Sequence, residues 1–263
     1  MITALPGACL RPPLAVAAVA GGLLLVVSAA VLAGLTAVDT RLLGALNAFA
    51  QRVPDLDRAL WHVANANVLK GGVFAAALCW AWYRPEPSGR ARRAVITAIA
   101  AGYVALVVTQ VLAVVLPVRP RPMHTVAFTV PAGVNENVLR GWSSFPSDHA
   151  ALFFALAAGL CLASWRLGSW LVAYAVILVG LIRVYLGLHH PSDILAGALI
   201  GTLAAMVAGQ CEWLHSRLLA TERRHPALFY TVGFALLYQI ATLFDGPQQF
   251  ARVALRVANR WVP

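Results

Sequence analysis

The sequence predicts an all-α fold, a polytopic bundle of membrane helices. Its 263 residues are 60% hydrophobic and only 11% charged, and the mean hydropathy is +0.76. A soluble domain carries about 25% charged residues, so this chain has too few to cover a water-facing surface. The composition therefore excludes an ordinary cytosolic enzyme, a disordered protein and a disulfide-based scaffold.

Seven uncharged stretches predict the individual spans, each of which needs about 20 mostly apolar residues. The stretches without Asp, Glu, Lys or Arg are 12–38, 71–83, 94–118, 150–165, 167–182, 194–211 and 226–244. The second reaches span length only with Lys70, the fourth only with His149 and the fifth only with Arg183. Ionisable groups at membrane depth are costly and usually functional. We expect six core spans and a seventh at 227–244.

The two ends of the chain need separate interpretations. The first apolar run, from Leu14 to Thr36, exceeds the 7–15-residue core of a signal peptide, so we interpret it as a retained first span. After Asp245, apolar residues recur at helical spacing while three arginines follow another face: Arg252, Arg256 and Arg260. This pattern predicts an interfacial amphipathic helix, with a solvated terminal helix as the alternative. No repeat or linker divides the chain, so we expect one domain, 1–263, with its core at about 94–212.

Arginines in short loops predict the orientation. The loops 84–93 and 214–225 are rich in arginine, which places them on the cytoplasmic side under the positive-inside rule. Segments 39–62, 117–148 and 183–192 then fall on the outer side.

The net charge of +10 comes from 19 arginines and a single lysine, Lys70. These residues are scattered between neutral runs and form no basic face, so we do not expect a nucleic-acid partner. The four cysteines lie in or beside apolar runs without C-x-x-C spacing: Cys9, Cys79, Cys161 and Cys211. We interpret them as small buried hydrophobic residues.

Three polar clusters lie at the outer ends of spans three to six. The first, Arg119-Pro120-Arg121-Pro122, is held extended because proline keeps the preceding residue out of the helical region. Taken alone, it is typical of arginines that snorkel to the membrane interface.

The second cluster is Ser143-Ser144-Phe145-Pro146-Ser147-Asp148-His149. Ser147 stands at an N-cap position, and the free N–H groups of a helix start favour an anion. His149 in the first turn could donate a proton to a leaving group. The alternative is a plain capping motif.

The third cluster runs from Arg183 to Asp193. Arg183 lies about one turn inside the fifth span, and His189 and Asp193 are four residues apart. A carboxylate on one ring nitrogen would leave the other as nucleophile or base, although a structural Asp–His pair has the same spacing.

One anion site explains all three clusters together. They bring arginines, a helix N-terminus, two histidines and a supporting aspartate to one membrane face, as phosphoryl transfer requires. A metal site fits poorly, because Asp148 and Asp193 are the only carboxylates in the clusters and arginines would repel a divalent cation.

At these residues the sequence resembles the type 2 phosphatidic acid phosphatase superfamily of integral-membrane lipid phosphate phosphatases. The family pattern is K-x6-R-P, then P-S-G-H, then S-R-x5-H-x3-D. The matching positions here are Val114 with Arg121-Pro122, then Pro146-Ser147-Asp148-His149, then Ile182-Arg183 with His189 and Asp193.

The resemblance implies a metal-independent mechanism without cofactors. His189 would attack phosphorus and carry a phosphohistidine, with Asp193 holding its ring. His149 would protonate the leaving oxygen and then activate water. Three side chains would hold the phosphoryl oxygens, Arg121, Arg183 and Ser147, with Arg119 assisting.

Three departures from the family pattern affect this site. Val114 replaces a phosphate-binding lysine, and our hypothesis is that Arg119 or Lys70 compensates. Ile182 replaces a serine. Asp148 replaces a glycine, where it could raise the pKa of His149 or simply cap the helix.

The P-S-D-H variant resembles the motif of bacterial undecaprenyl diphosphate phosphatases. The resemblance implies that the substrate is undecaprenyl diphosphate. It also implies that the protein lies in the lipid bilayer of a bacterial inner membrane, with its site on the outer face. A lipid phosphotransferase with the same nucleophile is the first alternative. An anion transporter or non-catalytic scaffold is the second.

Overall fold

The structure, a computed structural model, describes residues 36–125, 128–137 and 139–243, and within them it contains helices and no strands. The helices described are α1 Thr36–Asn47, α2 Pro54–Asn65, α3 Val68–Tyr83, α4 Arg90–Val115, α5 Asp148–Cys161, α6 Trp165–Tyr185, α7 Pro191–Gly209, α8 Glu212–Arg224 and α9 Pro226–Thr242. A short 3₁₀ turn, Pro122–His124, follows α4.

Three of these helices are long and apolar enough to cross a bilayer: α4 with 26 residues, α6 with 21 and α7 with 19. Helices α2 and α3 pass the same test only when taken together, and they are bent by 59° relative to each other. Helices α5 and α9 are apolar but shorter, with 14 and 17 residues. The all-helical fold with candidate membrane spans is thus confirmed for the described part, whereas the count of six spans and a seventh is not. The first span and the C-terminal amphipathic helix lie outside the described residues.

Helix α5 lies at the centre of the bundle, packed against α4, α6 and α7. Small residues permit this close approach. A Cβ at Gly201 of α7 would lie 2.1 Å from the Ala151 carbonyl oxygen of α5, and one at Gly159 of α5 would lie 2.5 Å from Cα of Ala98 in α4. Because backbones touch directly here, the start of α5 is held at a fixed position relative to α7.

Helices α1 and α2 fill the segment 39–62, for which the sequence predicted only an outer-side location. Their apolar side chains pack with the turn that follows α6, around the buried Leu186. Asp57 of α2 ties this region together, since it accepts hydrogen bonds from the Gln51 and Ala132 amides, both at 2.9 Å, and from the Tyr185 hydroxyl. The two helices and the loop at 128–137 therefore cover the α6–α7 turn.

Two helices contain a π-helical segment, Val68–Gly72 in α3 and Val176–Leu181 in α6. Such segments occur frequently at functional sites. The first includes Lys70, and the second ends two residues before Arg183.

The opposite end of the bundle carries the arginine-rich loops. Part of the predicted loop 214–225 is helical, as α8. Arg92 of α4 pairs with Glu222 of α8 at 3.1 Å, and Arg93 pairs with Glu212. Both arginine-rich segments thus lie at one end of the molecule.

Candidate active site

His189 lies in the turn between α6 and α7, and only 2% of its surface is exposed. The turn forms because Gly187 adopts a left-handed conformation, with φ of 72°, and because Pro191 opens α7. A Cβ at Gly187 would lie 2.5 Å from the Phe128 ring, and the Gly187 carbonyl accepts a hydrogen bond from the Met123 amide at 3.0 Å. Glycine is therefore required both for the backbone angle and for space.

The hydrogen bonds of the His189 ring define its tautomer. Nδ1 lies 2.9 Å from the carbonyl oxygen of Ser144 and 3.8 Å from Oδ2 of Asp193. A carbonyl oxygen can only accept, so Nδ1 carries the proton and Nε2 keeps its lone pair.

Three polar groups surround the Nε2 atom. Nη2 of Arg183 lies at 3.3 Å, and Nη1 of Arg121 and Oγ of Ser147 both lie at 3.5 Å. The two arginines are each 6% exposed, and neither Nε atom has a hydrogen-bond partner among the described residues. A buried donor without an acceptor is costly. An incoming anion would supply the missing acceptors and remove this cost.

Ser147 is the N-cap of α5, as the sequence predicted. Its Oγ accepts a hydrogen bond from the Ala150 amide at 3.4 Å, and its own amide donates to the Asp193 carbonyl at 3.1 Å. The positive end of the α5 dipole thus points at the cluster around Nε2.

Asp148 and His149 begin α5 beside Ser147. Oδ1 of Asp148 accepts from both the ring Nδ1 and the backbone amide of His149, each at 2.7 Å. This contact leaves Nε2 of His149 as the ring atom available to a ligand. The two residues also line a groove of about 390 Å³, whose apolar lining includes Leu106 and Val107 of α4.

Asp193 contacts the ring differently from the expectation. Its Oδ1 accepts from Nη1 of Arg119 at 2.5 Å, and its Oδ2 accepts from the His190 amide at 2.7 Å. These donors occupy the carboxylate, and Nδ1 of His189 donates its short hydrogen bond to the Ser144 carbonyl instead. Asp193 remains within ion-pair distance of the ring.

Arg119 contacts carboxylates, and no contact with His189 is seen. Besides Asp193, Nη1 donates to Ser192 Oγ at 2.8 Å, and Nη2 donates to Asp39 Oδ2 at 2.7 Å. Its expected role as a phosphate ligand stays a prediction, and the observed contacts are those of a residue that positions Asp193.

Lys70 is buried, with 4% of its surface exposed, and its Nζ donates to the Ala64 carbonyl. Its charge interacts electrostatically with the His149 ring. By contrast, Val114, at the position of the family lysine, is 84% exposed on the last turn of α4.

Burial lowers the pKa of two site residues that lie outside the helices, His189 and Arg121. It lowers the pKa of His189 to about 4, and the charges of Arg183 and Arg121 reinforce the effect while Asp193 opposes it. Burial also lowers the pKa of Arg121. At neutral pH His189 is therefore uncharged, as a nucleophile must be.

The site contains residues that the sequence did not assign. The Ser144 carbonyl orients the His189 ring, and Asp39 and Ser192 hold Arg119. Ser144 lay within a predicted cluster, but a backbone carbonyl leaves no trace in a side-chain pattern. Asp39 was visible only as the charge that ends the first apolar stretch.

The segment that carries the candidate site is similar to a known protein family. The model of the PAP2 superfamily matches residues 93–217, which include all but the first three residues of α4, the whole of α5 to α7 and each residue around the His189 ring described above. This segment, just under half of the chain, is similar to the PAP2 superfamily. No solved structure matches the chain.

Three curated relatives match parts of the chain. Bacitracin transport permease protein BcrC of Bacillus licheniformis is 36% identical over 85 residues, 31% of this chain and 41% of that protein. The putative undecaprenyl-diphosphatase YbjG of Escherichia coli K12 is 44% identical over 66 residues, 25% of this chain and 33% of that protein. Lipid A 4'-phosphatase of Bacteroides thetaiotaomicron is 46% identical over 65 residues, 23% of this chain and 28% of that protein. The chain thus spans less than half the length of each of these relatives.

Proposed function

We propose that this protein hydrolyses a membrane lipid phosphate or diphosphate through a phosphohistidine on His189. The observation that carries the proposal is the Nε2 lone pair of a buried neutral histidine, which faces two arginines and a helix N-terminus. Such an arrangement suits phosphoryl transfer, where positioning and charge stabilisation dominate catalysis. The PAP2 match and the names of two relatives, both phosphatases, support it.

In the first step, Nε2 of His189 attacks phosphorus and forms a P–N bond while the bond to the lipid or leaving phosphate oxygen breaks. His149 gives its proton to that oxygen. The His189 ring becomes positively charged, and the Ser144 carbonyl and the Asp193 carboxylate beside Nδ1 stabilise this charge.

In the second step, His149 takes a proton from water, which attacks phosphorus on the phosphohistidine. The P–N bond breaks, inorganic phosphate leaves, and His189 returns to its neutral state. Throughout, Arg121, Arg183 and Ser147 hold the phosphoryl oxygens, and Asp148 keeps the His149 ring oriented. Lys70 supplies the positive charge that the family lysine would bring, since Val114 replaces that lysine.

The site binds substrate without a metal ion in this proposal. The side chains around Nε2 of His189 are cationic or neutral, and the carboxylate of Asp193 is already bonded to Arg119. Arginines beside an open site repel a divalent cation, so phosphate charge is balanced by guanidinium groups instead.

The substrate is a lipid in this proposal, and undecaprenyl diphosphate is the first candidate. The groove lined by Asp148 and His149 has mostly apolar walls, which suits the hydrocarbon chain of a lipid. The P-S-D-H motif and the relative named as an undecaprenyl-diphosphatase favour the diphosphate. The site would face the outer side of a bacterial inner membrane, opposite the arginine-rich loops.

A phosphate-release panel in detergent with EDTA tests this function. The substrates are undecaprenyl diphosphate, phosphatidic acid, phosphatidylglycerol phosphate and lipid A, without added acceptor. We expect release that EDTA leaves unchanged and that is fastest with undecaprenyl diphosphate. No release from any substrate, or release that requires a metal, would contradict the proposal. Release that appears only after an acceptor lipid is added would identify a phosphotransferase.

A further inference from the structure

Asp39, near the start of α1, belongs to a buried network behind the His189 ring. It is 3% exposed, and Ser192 and Asp193 are 2% and 0% exposed. Its Oδ1 accepts from the Ser192 amide at 2.8 Å, and its Oδ2 accepts from Ser192 Oγ at 2.5 Å and from Nη2 of Arg119 at 2.7 Å. All of these contacts join parts of the chain that are distant in sequence.

The first two contacts make Asp39 a capping residue for a helix other than its own. Ser192 is the second residue of α7, and the amides of a first helical turn have no partner inside the helix. A carboxylate at this position satisfies one of them and interacts favourably with the helix dipole. Asp39 thereby fixes the end of α7 that carries Asp193.

The third contact controls how Arg119 meets Asp193. Nη1 of Arg119 bonds to Asp193 Oδ1, while Nη2 is held by Asp39. The guanidinium therefore gives Asp193 a single hydrogen bond instead of the bidentate pair that arginine commonly forms. The three groups Asp39, Arg119 and Asp193 together carry one net negative charge, located behind Nδ1 of His189.

We infer that Asp39 is a positioning residue for the proposed reaction, acting through Arg119 on Asp193. When Nε2 attacks phosphorus, the His189 ring becomes a cation whose Nδ1 side faces this cluster. With Asp39 in place, Asp193 keeps its position and the cluster keeps a negative charge that stabilises the cation. Without the charge of Asp39, Arg119 cancels that of Asp193. The effect concerns the chemical step, because phosphate binds at the opposite nitrogen.

The inference rests on the proposed function, and the variant Asp39→Asn tests it in the full-length protein. Asparagine keeps the shape and one acceptor but removes the charge that holds Arg119. We expect kcat for phosphate release to fall roughly ten- to hundredfold, the range typical of outer partners that orient a reactive group, with KM nearly unchanged. Asp55→Asn is the matched control, since Asp55 is an exposed carboxylate paired only with Arg58 among the described contacts. It should behave as wild type.

A double-mutant cycle separates this role from a purely structural one. If Asp39 acts through Arg119, adding Asp39→Asn to an Arg119→Gln protein changes kcat little further. If the two losses multiply instead, or if Asp39→Asn raises KM in proportion to the fall in kcat, the inference is wrong.

The wild-type enzyme in the same assay distinguishes this inference from the proposed function. If it releases no phosphate from any of the lipids above, the function and the inference both fail. If it releases phosphate and Asp39→Asn has the kcat of Asp55→Asn, the inference alone fails.

Discussion

At the scale of single residues, the chemistry of this site depends on which nitrogen of His189 keeps a lone pair. Nδ1 of His189 donates a hydrogen bond to the Ser144 carbonyl oxygen, 2.9 Å away. This bond fixes the ring so that Nε2 faces Arg121, Arg183 and Ser147. The same arginines, together with burial, keep the ring uncharged at neutral pH. In the proposed reaction, the nucleophilicity of His189 and the binding of phosphate therefore depend on the same contacts.

The lowered pKa of His189 predicts how stability changes with pH. An unfolded histidine has a pKa near 6.5, and the folded value is about 4. Between these values the unfolded state binds more protons, so stability falls as pH falls through this window. This histidine alone should lower the free energy of unfolding at pH 5 by about 2 kcal/mol relative to pH 8. Thermal unfolding in detergent should therefore depend less on pH in His189→Gln than in wild type, and equal dependence would refute the assignment.

The replacement of the family lysine by Val114 leads to a prediction about Lys70. If Lys70 supplies the missing charge, Lys70→Met should raise KM for the lipid phosphate by roughly tenfold, since a hydrogen bond to a charged group contributes about 1.5–3 kcal/mol. Lys70→Arg, which keeps the charge, should lose less. Steady-state kinetics on both variants provides the measurement. Unchanged KM and turnover in Lys70→Met would exclude Lys70 from the site.

Sequence motifs foresaw part of this residue-level arrangement. They named Arg121, Ser147, Arg183 and His189, which the structure brings together, because spacing at helix ends determines where such side chains meet. They did not reveal that Arg119 faces carboxylates or that Asp39 joins them. Those contacts link positions 74 or more residues apart, and local spacing carries no information on such pairs.

At the scale of elements, the site depends on direct backbone contact between α5 and α7. A Cβ at Gly197 of α7 would lie 2.3 Å from the carbonyl oxygen of Ser147, the residue that caps α5 beside His189. A distance this short cannot be accommodated without moving one helix.

Gly197→Ala should therefore displace Ser147 from His189 and lower turnover at least tenfold, because small misplacements of catalytic groups are costly. Gly233→Ala is the matched control, since a Cβ at Gly233 of α9 meets no described atom within 4 Å. Alanine there should preserve activity and slightly raise the unfolding temperature. Phosphate release and thermal unfolding of both variants provide the test, and full activity in Gly197→Ala would refute this packing.

The elements that the sequence foresaw are those with long uncharged runs. Such runs predicted α4, α6 and α7 correctly, because burial in lipid excludes charge along the whole length. Helices α1 and α2 were missed as elements, since α2 carries Asp55, Asp57 and Arg58 and so shows no uncharged run. The bend between α2 and α3 was also missed, since no residue pattern in the sequence marks it.

At the scale of the whole molecule, the arginine-rich loops and the candidate active site lie at opposite ends of the bundle. The ion pairs of Arg92 and Arg93 join α4 to α8 at one end. The candidate active site lies at the other end, where α5 and α7 begin. A chain inserted with its arginine-rich loops inside would present this site to the outer face.

Cysteine labelling tests this orientation in intact cells. In a background without the four native cysteines, a membrane-impermeant maleimide should label Asn135→Cys, in the exposed loop at the site end. It should not label Ser88→Cys, in the arginine-rich loop, until the membrane is opened. The reverse pattern would place the site on the cytoplasmic side.

The central claim is that His189 forms a covalent bond to phosphorus. Rapid quenching of the enzyme during turnover of a ³²P-labelled lipid phosphate, with EDTA present, tests it most directly. We predict an acid-labile phosphoryl group on His189 by mass spectrometry. His189→Ala should remain folded but show neither the phosphoryl group nor phosphate release. Phosphatase activity retained in folded His189→Ala would contradict the account.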